Sequence, residues 1–288
     1  MLTFIVNPAA GSGYALKIEA QLKAELDKRA VEARFLHTEA PGHATQLARE
    51  AASQEDCTGV IAVGGDGTCY EVACGLMESK VPMGIILAGT GNDFIKSVSI
   101  PKKPMQALDL ILKGNARPVD VGQMNERLFI NVSGTGFDVT VLDFTLQAKK
   151  YVKGILPYLY GLVRGISHYK PVHVRFTVDG VTEERDVLFC AVANGRYFGG
   201  GIPICPEAAA DDGAFDFILV ENRPRWMIPF YVPGLLMGRV LKFGITTHRK
   251  CQSLRLESKG MRLNMDGEVF PMDVAEYRML PGRLLLFW

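Results

Sequence analysis

Apolar runs alternate with amphipathic segments over the first 115 or so residues of the chain. The runs have the length of strands, and strands are predicted at 2–6, 32–38, 59–63 and 83–89. The segments between and after them repeat apolar positions at helical spacing, which predicts helices at 15–30, 43–54, 70–79 and 104–114. Strands that alternate with helices and are themselves apolar predict a parallel sheet covered on both faces, in an α/β domain of residues 1–118.

The pattern changes near residue 118 to short strands separated by turn signals. These strands are predicted at 119–124, 127–134, 173–180, 185–195, 215–223, 242–247, 253–258 and 262–270. Asp179-Gly180 and Asp266-Gly267 are typical of tight hairpin turns. The pattern predicts an antiparallel β-sandwich domain over 119–275, interrupted by helical segments at about 139–168 and 224–240. The last strands, within 276–288, are predicted to return to the first domain.

Composition narrows the class of protein. Hydrophobic residues make up 48% of the chain, charged residues make up 22%, and the formal net charge is +1. A net charge this close to zero does not favour nucleic acid as a binding partner. No uncharged apolar run reaches the roughly 18 residues of a membrane span, and the N-terminus lacks the features of a signal peptide. We therefore expect a cytoplasmic protein.

The cysteines and histidines show no metal-binding spacing. The six cysteines form no Cys-x-x-Cys pair, which favours a reducing compartment over a disulfide framework. The five histidines are scattered, and none lies near a cysteine or carboxylate at the spacing of a metal site. They are expected to be structural or surface residues.

Three glycine-bearing turns follow three of the predicted strands, at residues 7–13, 64–68 and 89–93. Parallel strands bring such turns to one edge of a sheet, where glycine allows the backbone to approach a ligand and helix N-termini attract anions. A single turn of this kind is more often only a connection between a strand and a helix. Three together, with Asp66 inside one of them, indicate a polyphosphate cradle in which the carboxylate holds a magnesium ion. Neither a P-loop nor a dinucleotide fingerprint is present.

Five sequence blocks together resemble the diacylglycerol kinase catalytic family, which is distantly related to the NAD kinases. In chain order they are NPAAGSG, GGDGT, GTGNDF, the stretch NGRYFGGGIPICPEAAADDGAFD and MDGEVF. The resemblance spans essentially the whole chain. It implies an NAD kinase-like N-terminal domain, a C-terminal sandwich, and ATP-dependent transfer of phosphate to a lipid hydroxyl.

The resemblance also implies site residues. Glu268 matches the family's general base, and Asp66 would organise the catalytic Mg²⁺ at the phosphates of ATP. A second, structural Mg²⁺ maps to Asp212 and to the backbone carbonyls of Ala209 and Ala214. The nucleotide site maps to Asn7, Pro8, Ala9, Ala10, Gly11, Thr38, Gly64, Gly65, Asp66, Gly67, Thr68, Cys69, Tyr70 and Thr90. The family often has Asn in place of Tyr70 and Arg in place of Lys96, so both residues bear on nucleotide selectivity.

Two segments, 146–170 and 223–243, combine apolar and aromatic residues with basic residues. Their bases include Lys149, Lys150, Lys153, Arg164, Lys170, Arg223, Arg225, Arg239 and Lys242. This mixture suits an anionic bilayer surface and predicts a peripherally membrane-associated protein. The alternative is that both helices face the core of the sandwich, and one helix can do both with opposite faces.

The sequence favours a lipid kinase acting on diacylglycerol and leaves several alternatives open. They are a kinase for another lipid alcohol such as phosphatidylglycerol or a sphingoid base, an NAD kinase-like enzyme, and a non-catalytic lipid- or nucleotide-binding regulator. A homodimer is also open, because the C-terminal strand can pair within or between chains.

Overall fold

The computed structural model describes residues 1–89, 93–152 and 156–288, and these form two compact units. Unit one comprises Met1–Val121, Ala210–Asp212 and Pro281–Trp288. Unit two comprises Gly122–Ala209 and Gly213–Leu280. The short excursion 210–212 into unit one has no counterpart in the sequence pattern.

Unit one is an α/β domain with a parallel sheet. Its elements are β1 (Leu2–Val6), α1 (Tyr14–Lys28), β2 (Ala33–His37), α2 (His43–Ala52), β3 (Gly59–Gly64), α3 (Asp66–Leu76), β4 (Met83–Leu87), α4 (Asp93–Ser97) and α5 (Pro104–Leu112). The strands lie in the order β2-β1-β3-β4, and all of these pairs are parallel. Every residue of β1, β3 and β4 is buried, so both faces of the sheet are covered. The predicted fold class of this domain is confirmed.

Unit two is an antiparallel β-sandwich with three helices. Its elements are β5 (Ala116–Met124), which begins in unit one, β6 (Arg127–Phe129), β7 (Val132–Gly136), α6 (Phe137–Lys149), α7 (Leu156–His168), β8 (Val172–Val178), β9 (Val181–Ala193), β10 (Phe215–Glu221), α8 (Ile228–Leu236), β11 (Thr246–Cys251), β12 (Ser253–Met265) and β13 (Glu268–Phe287), which ends in unit one. The strands β11-β10-β9-β7-β12-β13 are neighbours in that order. The predicted sandwich is confirmed.

Strand β9 shows how unit two fills its interior. Val187, Cys190 and Val192 belong to the core between the strands. Leu188 and Ala191 belong to a second buried cluster that also contains Ile228 of α8. From Phe189 to Ala193, alternate side chains of this strand therefore face two different cores, as the period of a strand requires.

Both predicted Asp-Gly hairpins are present. Asp179 and Gly180 join β8 to β9, with φ of 50° and 79°. Asp266 and Gly267 join β12 to β13, with φ of 49° and 99°. Left-handed conformation at both central residues is the requirement of a type I′ turn, which the Asp-Gly pair satisfies.

Several element boundaries differ from the prediction. The strand predicted at 127–134 is divided into β6 and β7, because the backbone amides of residues 130–132 bind a side chain instead of continuing a ladder. The strand predicted at 242–247 begins at Thr246, because residues 240–242 form a 3-10 turn. The helical segment at 139–168 is resolved as α6 and α7. The strands predicted after residue 267 are one strand, β13, whose Leu286 pairs with Met83 of β4 within the same chain.

Candidate active site

Three turns of unit one meet at one edge of its sheet. Val6 pairs with Val63, and Gly64 pairs with Leu87, so β1, β3 and β4 end at the same level. The carbonyl of Gly64 accepts hydrogen bonds from the amides of Ala88 at 2.8 Å and Gly89 at 3.2 Å. The turn after β3 is thereby tied to the turn after β4.

Asn7 ties the first turn to the second. Its amide donates to the carbonyl of Val63 at 3.0 Å, and its side-chain nitrogen donates to Thr68 Oγ1 at 3.2 Å. Its side-chain oxygen accepts the amide of Ala9 at 3.0 Å, which shapes the loop that carries Pro8 and Ala10. An asparagine here fixes both the backbone and a neighbouring helix.

Gly11 closes the first turn against the third. It has a φ of 60°, and a Cβ at this position would lie 2.2 Å from the carbonyl oxygen of Ala88. Both the backbone angle and the close approach require glycine. The first and third turns are therefore in direct contact.

Helix α3 begins at Asp66, four residues before the predicted start at residue 70. Gly65 is the N-cap residue and no side chain caps the helix. The first helical hydrogen bond runs from the amide of Cys69 to the carbonyl of Gly65 at 3.0 Å, so the amides of Gly67 and Thr68 precede it. Such amides, with the helix dipole behind them, bind anions.

Among the described residues, and leaving out its chain neighbours and its own helix backbone, no heavy atom lies within 4 Å of where a Cβ on Gly67 would stand. By contrast, a Cβ on Gly64 would lie 2.4 Å from Thr68 Oγ1. Gly64 is required by packing of the protein itself, whereas Gly67 leaves room at the helix end.

Asp66 connects the second turn to the third. Its Oδ1 accepts the backbone amide of Asp93 at 2.8 Å, and Asp93 in turn accepts the ammonium of Lys96 at 2.9 Å. Burial, followed by the Asp66 charge, raises the pKa of the Cys69 thiol. Cys69 is thus a neutral packing residue at neutral pH.

The remaining nucleotide-site predictions have different outcomes. The amide of Thr38 donates to the carbonyl of Val6 at 2.9 Å, which places this residue at the same sheet edge. Tyr70 is half-buried in the second turn of α3. Thr90 lies outside the described residues.

Glu268 stands at the start of β13 in a hairpin that is held firmly. It pairs with Met265 across the Asp266-Gly267 turn and is exposed. The carboxylate of Asp266 accepts the amides of Ile130, Asn131 and Val132 at 2.9, 3.2 and 3.0 Å. Three donors on one carboxylate fix the turn that carries Glu268. Sequence reasoning noted Asp266 only as a neighbour.

Ala209, Asp212 and Ala214 lie in the loop before β10. Asp212 is exposed and belongs to unit one, whereas Ala209 and Ala214 belong to unit two. Within unit one, the carbonyl of Ala210 accepts the amide of Asp120 at 2.7 Å, which fixes the excursion 210–212. A carboxylate and two carbonyls are oxygen ligands, so these residues fit magnesium or calcium.

Unit two contains an apolar pocket with four polar residues in its wall, Asp138, Thr145, Tyr158 and Asn264. Phe137, Val141, Leu162, Phe189 and Ile204 also contribute to its lining. Its volume of about 70 Å³ admits a short segment of an apolar chain. Such a composition is typical of small-molecule sites.

Asp138 is the unusual group of this pocket and was missed by sequence reasoning. Its Oδ1 is buried and has no hydrogen-bond partner in the described part of the chain, and Asn264 donates weakly to Oδ2 at 3.5 Å. Burial raises the pKa of this carboxyl to about 7. An acid of this kind can accept or donate a hydrogen bond to a ligand near neutral pH.

Helices α7 and α8 present apolar side chains outward as well as inward. Ile228 is buried, and Val232 and Leu235 pack on the second core, so the expectation of core-facing helices holds for one face. On the outside, Tyr151 is 88%, Trp226 70% and Phe230 76% exposed. Lys153 lies outside the described residues.

In the described part of the chain no helix combines the length and the apolarity that crossing a membrane requires.

Comparison of the sequence finds two family matches. Residues 1–124 match the diacylglycerol kinase catalytic domain, and residues 131–288 match the YegS C-terminal NAD kinase beta sandwich-like domain. A diacylglycerol kinase of Bacillus subtilis is 30% identical over 278 residues, which cover 95% of this chain and 91% of the relative. A Pseudomonas aeruginosa protein named "Probable lipid kinase YegS-like" is 32% identical, over 84% of this chain and 80% of that protein.

Solved structures agree with the sequence matches. The crystal structure of a diacylglycerol kinase from Bacillus anthracis is 25% identical and superposes with a TM-score of 0.73, covering 100% of this chain and 96% of that one. A further structure from the same organism is 29% identical with a TM-score of 0.79, covering 100% and 97%. The similarity therefore extends over both units.

Proposed function

This chain belongs to the diacylglycerol kinase family of lipid kinases, and we propose that it transfers the γ-phosphate of ATP to diacylglycerol, giving phosphatidic acid. Membership of this family makes the protein a phosphotransferase with a lipid acceptor. This conclusion takes the place of the NAD kinase-like and non-catalytic alternatives that the sequence left open. The observation that carries the choice of acceptor is the apolar pocket of unit two. An uncharged glycerolipid tail suits apolar lining, and the pocket's few polar residues suit the hydroxyl and ester groups at its head.

We infer that the phosphates of ATP lie at the edge of the unit-one sheet. The amides of Gly67 and Thr68 lie before the first hydrogen bond of α3. An anion bound at this end of the helix gains the most from the helix dipole. The interlocked turns of Asn7 and Gly11 keep this edge rigid, so little order has to be imposed when the nucleotide binds.

Asp66 is the carboxylate proposed to hold magnesium at this edge. An aspartate cannot bind phosphate directly, but its oxygens are suitable magnesium ligands. Bound magnesium supplies neutralisation of charge on the phosphate oxygens. The Asp93 amide on Oδ1 fixes the orientation of the carboxylate. Ala209, Asp212 and Ala214 are proposed to hold a second, structural magnesium.

Glu268 is proposed as the general base. As the lipid hydroxyl oxygen bonds to the γ-phosphorus, the bond from that phosphorus to the β–γ bridging oxygen breaks and ADP leaves. The hydroxyl proton passes to the Glu268 carboxylate. Asp266 is a positioning residue, because its three backbone hydrogen bonds fix the turn on which Glu268 stands.

We propose that the protein binds the surface of anionic membranes, where its substrate resides. Trp226, Phe230 and Tyr151 are exposed aromatic residues, and basic residues lie in the same two segments, 146–170 and 223–243. Aromatic side chains insert at the headgroup level, and each base near an anionic surface contributes about 1 kcal/mol.

A second acceptor class is another lipid alcohol. The match to the YegS C-terminal domain and to a YegS-like relative favours this alternative, because those names specify no diacylglycerol. A charged Asp138 would also accept a hydrogen bond from a more polar lipid head.

A lipid panel tests the choice of acceptor. Purified protein, radiolabelled ATP and magnesium are incubated with mixed micelles of diacylglycerol, phosphatidylglycerol or a sphingoid base. We expect label in phosphatidic acid at a rate well above that for the other two products. Faster labelling of another lipid would contradict the proposed acceptor while keeping the kinase.

A further inference from the structure

Three side chains of metal-ligating types converge in unit two. Cys205 precedes β10, Asp216 lies in β10 and His248 lies in β11, and one ligand atom from each lies within 4.8 Å of the other two. The register of β10 and β11 pairs Ile218 with His248 and Asp216 with Lys250. Asp216 and His248 therefore share one face of the sheet, diagonally across the two strands.

The carboxylate of Asp216 is the independent indication of a cation. The residue is completely buried, and its Oδ2 has no hydrogen-bond partner among the described residues. Oδ1 pairs with His248 Nε2 at 2.6 Å, and Oδ2 forms an ion pair with the ammonium of Lys250 at 4.0 Å but receives no hydrogen bond among the described residues. A buried carboxylate oxygen without a hydrogen bond is costly, and a metal ion would satisfy it.

We propose that Cys205, Asp216 and His248 bind one divalent transition-metal ion of the zinc class. A thiolate, an imidazole and a carboxylate are the ligand types of zinc, whereas magnesium selects oxygen ligands. The site is therefore chemically distinct from both magnesium positions. Two tetrahedral ligands about 2.1 Å from an ion lie about 3.4 Å apart, so the Asp216–His248 pair has to open by less than about 1 Å.

Cys205 has to lose its thiol proton to bind a metal ion. Burial, then the Asp216 charge, raises the pKa of its thiol to about 12, while the backbone amides of Glu207 and Ala208 hydrogen-bond to favour the thiolate. Metal binding therefore displaces one thiol proton near neutral pH. His248, with 24% of its side chain exposed, provides the route from solvent.

Such an ion would cross-link the loop before β10 to two strands of the sandwich. Cys205 and the nearby Ala208 belong to the buried cluster under α8, so the fixed loop lies on the core. The expected role is structural, and metal loading then stabilises the fold without being required for nucleotide binding.

Cobalt titration of the full chain tests the site. The protein is stripped with a chelator, its fold is checked by circular dichroism, and Co²⁺ is added while absorption is recorded. We expect one equivalent to bind with a thiolate-to-cobalt charge-transfer band, with proton release and displacement by Zn²⁺. Cys205→Ser should abolish the band, and His248→Gln should weaken binding at least about ten-fold.

Matched variants control for unspecific effects. Cys190→Ser removes another buried cysteine, and His173→Gln removes another histidine paired with a carboxylate, Asp186. Both should keep the cobalt spectrum. Absence of stoichiometric binding by the wild type, or an unchanged band in a folded His248→Gln, would overturn the proposal. Should Cys205→Ser not fold, the partly exposed His248 still decides the question.

Discussion

Glycines in the candidate nucleotide site have different physical roles, although they look alike in the sequence. Gly11 and Gly64 are required by the protein's own packing, since an added Cβ would meet Ala88 or Thr68. At Gly67, in the first turn of α3, an added Cβ would meet no described atom outside its own helix and chain neighbours. Gly67 is therefore the one of these three glycines that leaves room for a ligand among the described residues.

Gly67→Ala should separate nucleotide binding from folding. The helical backbone accepts alanine, so the melting temperature should change little or rise slightly. The added methyl group occupies the space in front of the free amides, so the KM for ATP should increase at least ten-fold. Gly244→Ala, another position with open space, is the control and should leave KM unchanged. An unchanged KM in Gly67→Ala would contradict this placement of the phosphates.

Asp138 should make stability depend on pH. Its folded-state pKa of about 7 lies above the ordinary value of 3.8, so the folded state retains the proton over this range while the unfolded state has lost it. The free energy of unfolding therefore falls as pH rises from about 4 to about 7, by up to about 4 kcal/mol, and is level above that range.

Asp138→Asn is the variant that reveals this contribution. It is uncharged at every pH, so its melting temperature relative to the wild type should increase from pH 5 to pH 8. Thermal denaturation followed by circular dichroism at both values measures the difference. A constant difference between the two proteins would show that Asp138 keeps an ordinary pKa.

Residue chemistry was predicted from sequence where a short motif contains it. Asp66 and the glycine turns each lie within a short contiguous motif, so the sequence alone was enough to predict them as candidate site residues. Asp138 was missed, because its raised pKa comes from burial by pocket walls that are distant in the chain. His248 was expected to be structural or at the surface, because its neighbours Cys205 and Asp216 lie 43 and 32 residues away along the chain.

At the level of elements, hairpins and strand–helix alternation were predictable because they depend on local pattern. The Asp-Gly turns formed as expected since both central residues need left-handed backbone. The break between β6 and β7 was not predictable, because it is made by the carboxylate of Asp266, more than 130 residues away. The early start of α3 was missed, since glycines and an aspartate are weak helix formers in sequence.

The Asp266 hairpin should be essential to both stability and turnover. Asp266→Ala removes the acceptor of three amides, and each orphaned amide costs about 1–3 kcal/mol when buried. We expect a lower melting temperature and a lower kcat with little change in the KM for ATP. Asp266→Asn keeps one acceptor oxygen and tolerates the positive φ, so it should recover part of the melting temperature and part of the kcat. A kcat equal to the wild type in folded Asp266→Ala would contradict its positioning role.

The outer face of α8 and of the 3-10 helix before it, Arg225–Met227, should bind membranes. Replacing both Trp226 and Phe230 by alanine should reduce binding to vesicles containing anionic lipid at least ten-fold, because two exposed aromatic anchors are lost. Sedimentation with vesicles measures this. Val181→Ala, an exposed apolar residue of the β8–β9 turn, is the control. Equal sedimentation of the double variant and the wild type would place the membrane contact elsewhere.

At the scale of the whole molecule, the fold class followed from the change of pattern near residue 118. Apolar strands that alternate with amphipathic helices differ in pattern from short strands separated by turn signals, so both fold types were recognisable. The excursion of residues 210–212 into unit one was not, because it depends on hydrogen bonds such as that between Asp120 and Ala210. Local periodicity carries no information on such long-range pairing.

The initial rate of phosphatidic acid formation from ATP and diacylglycerol, compared between the wild type and Glu268→Gln, tests the account most directly. Glu276→Gln, another exposed glutamate of β13, is the matched control. We predict that the wild type and the control form product at similar rates, that Glu268→Gln loses about 10²–10⁴-fold in kcat, and that all three bind ATP equally. Undiminished turnover by Glu268→Gln would contradict its role as the base, and no phosphatidic acid from the wild type would contradict the proposed reaction.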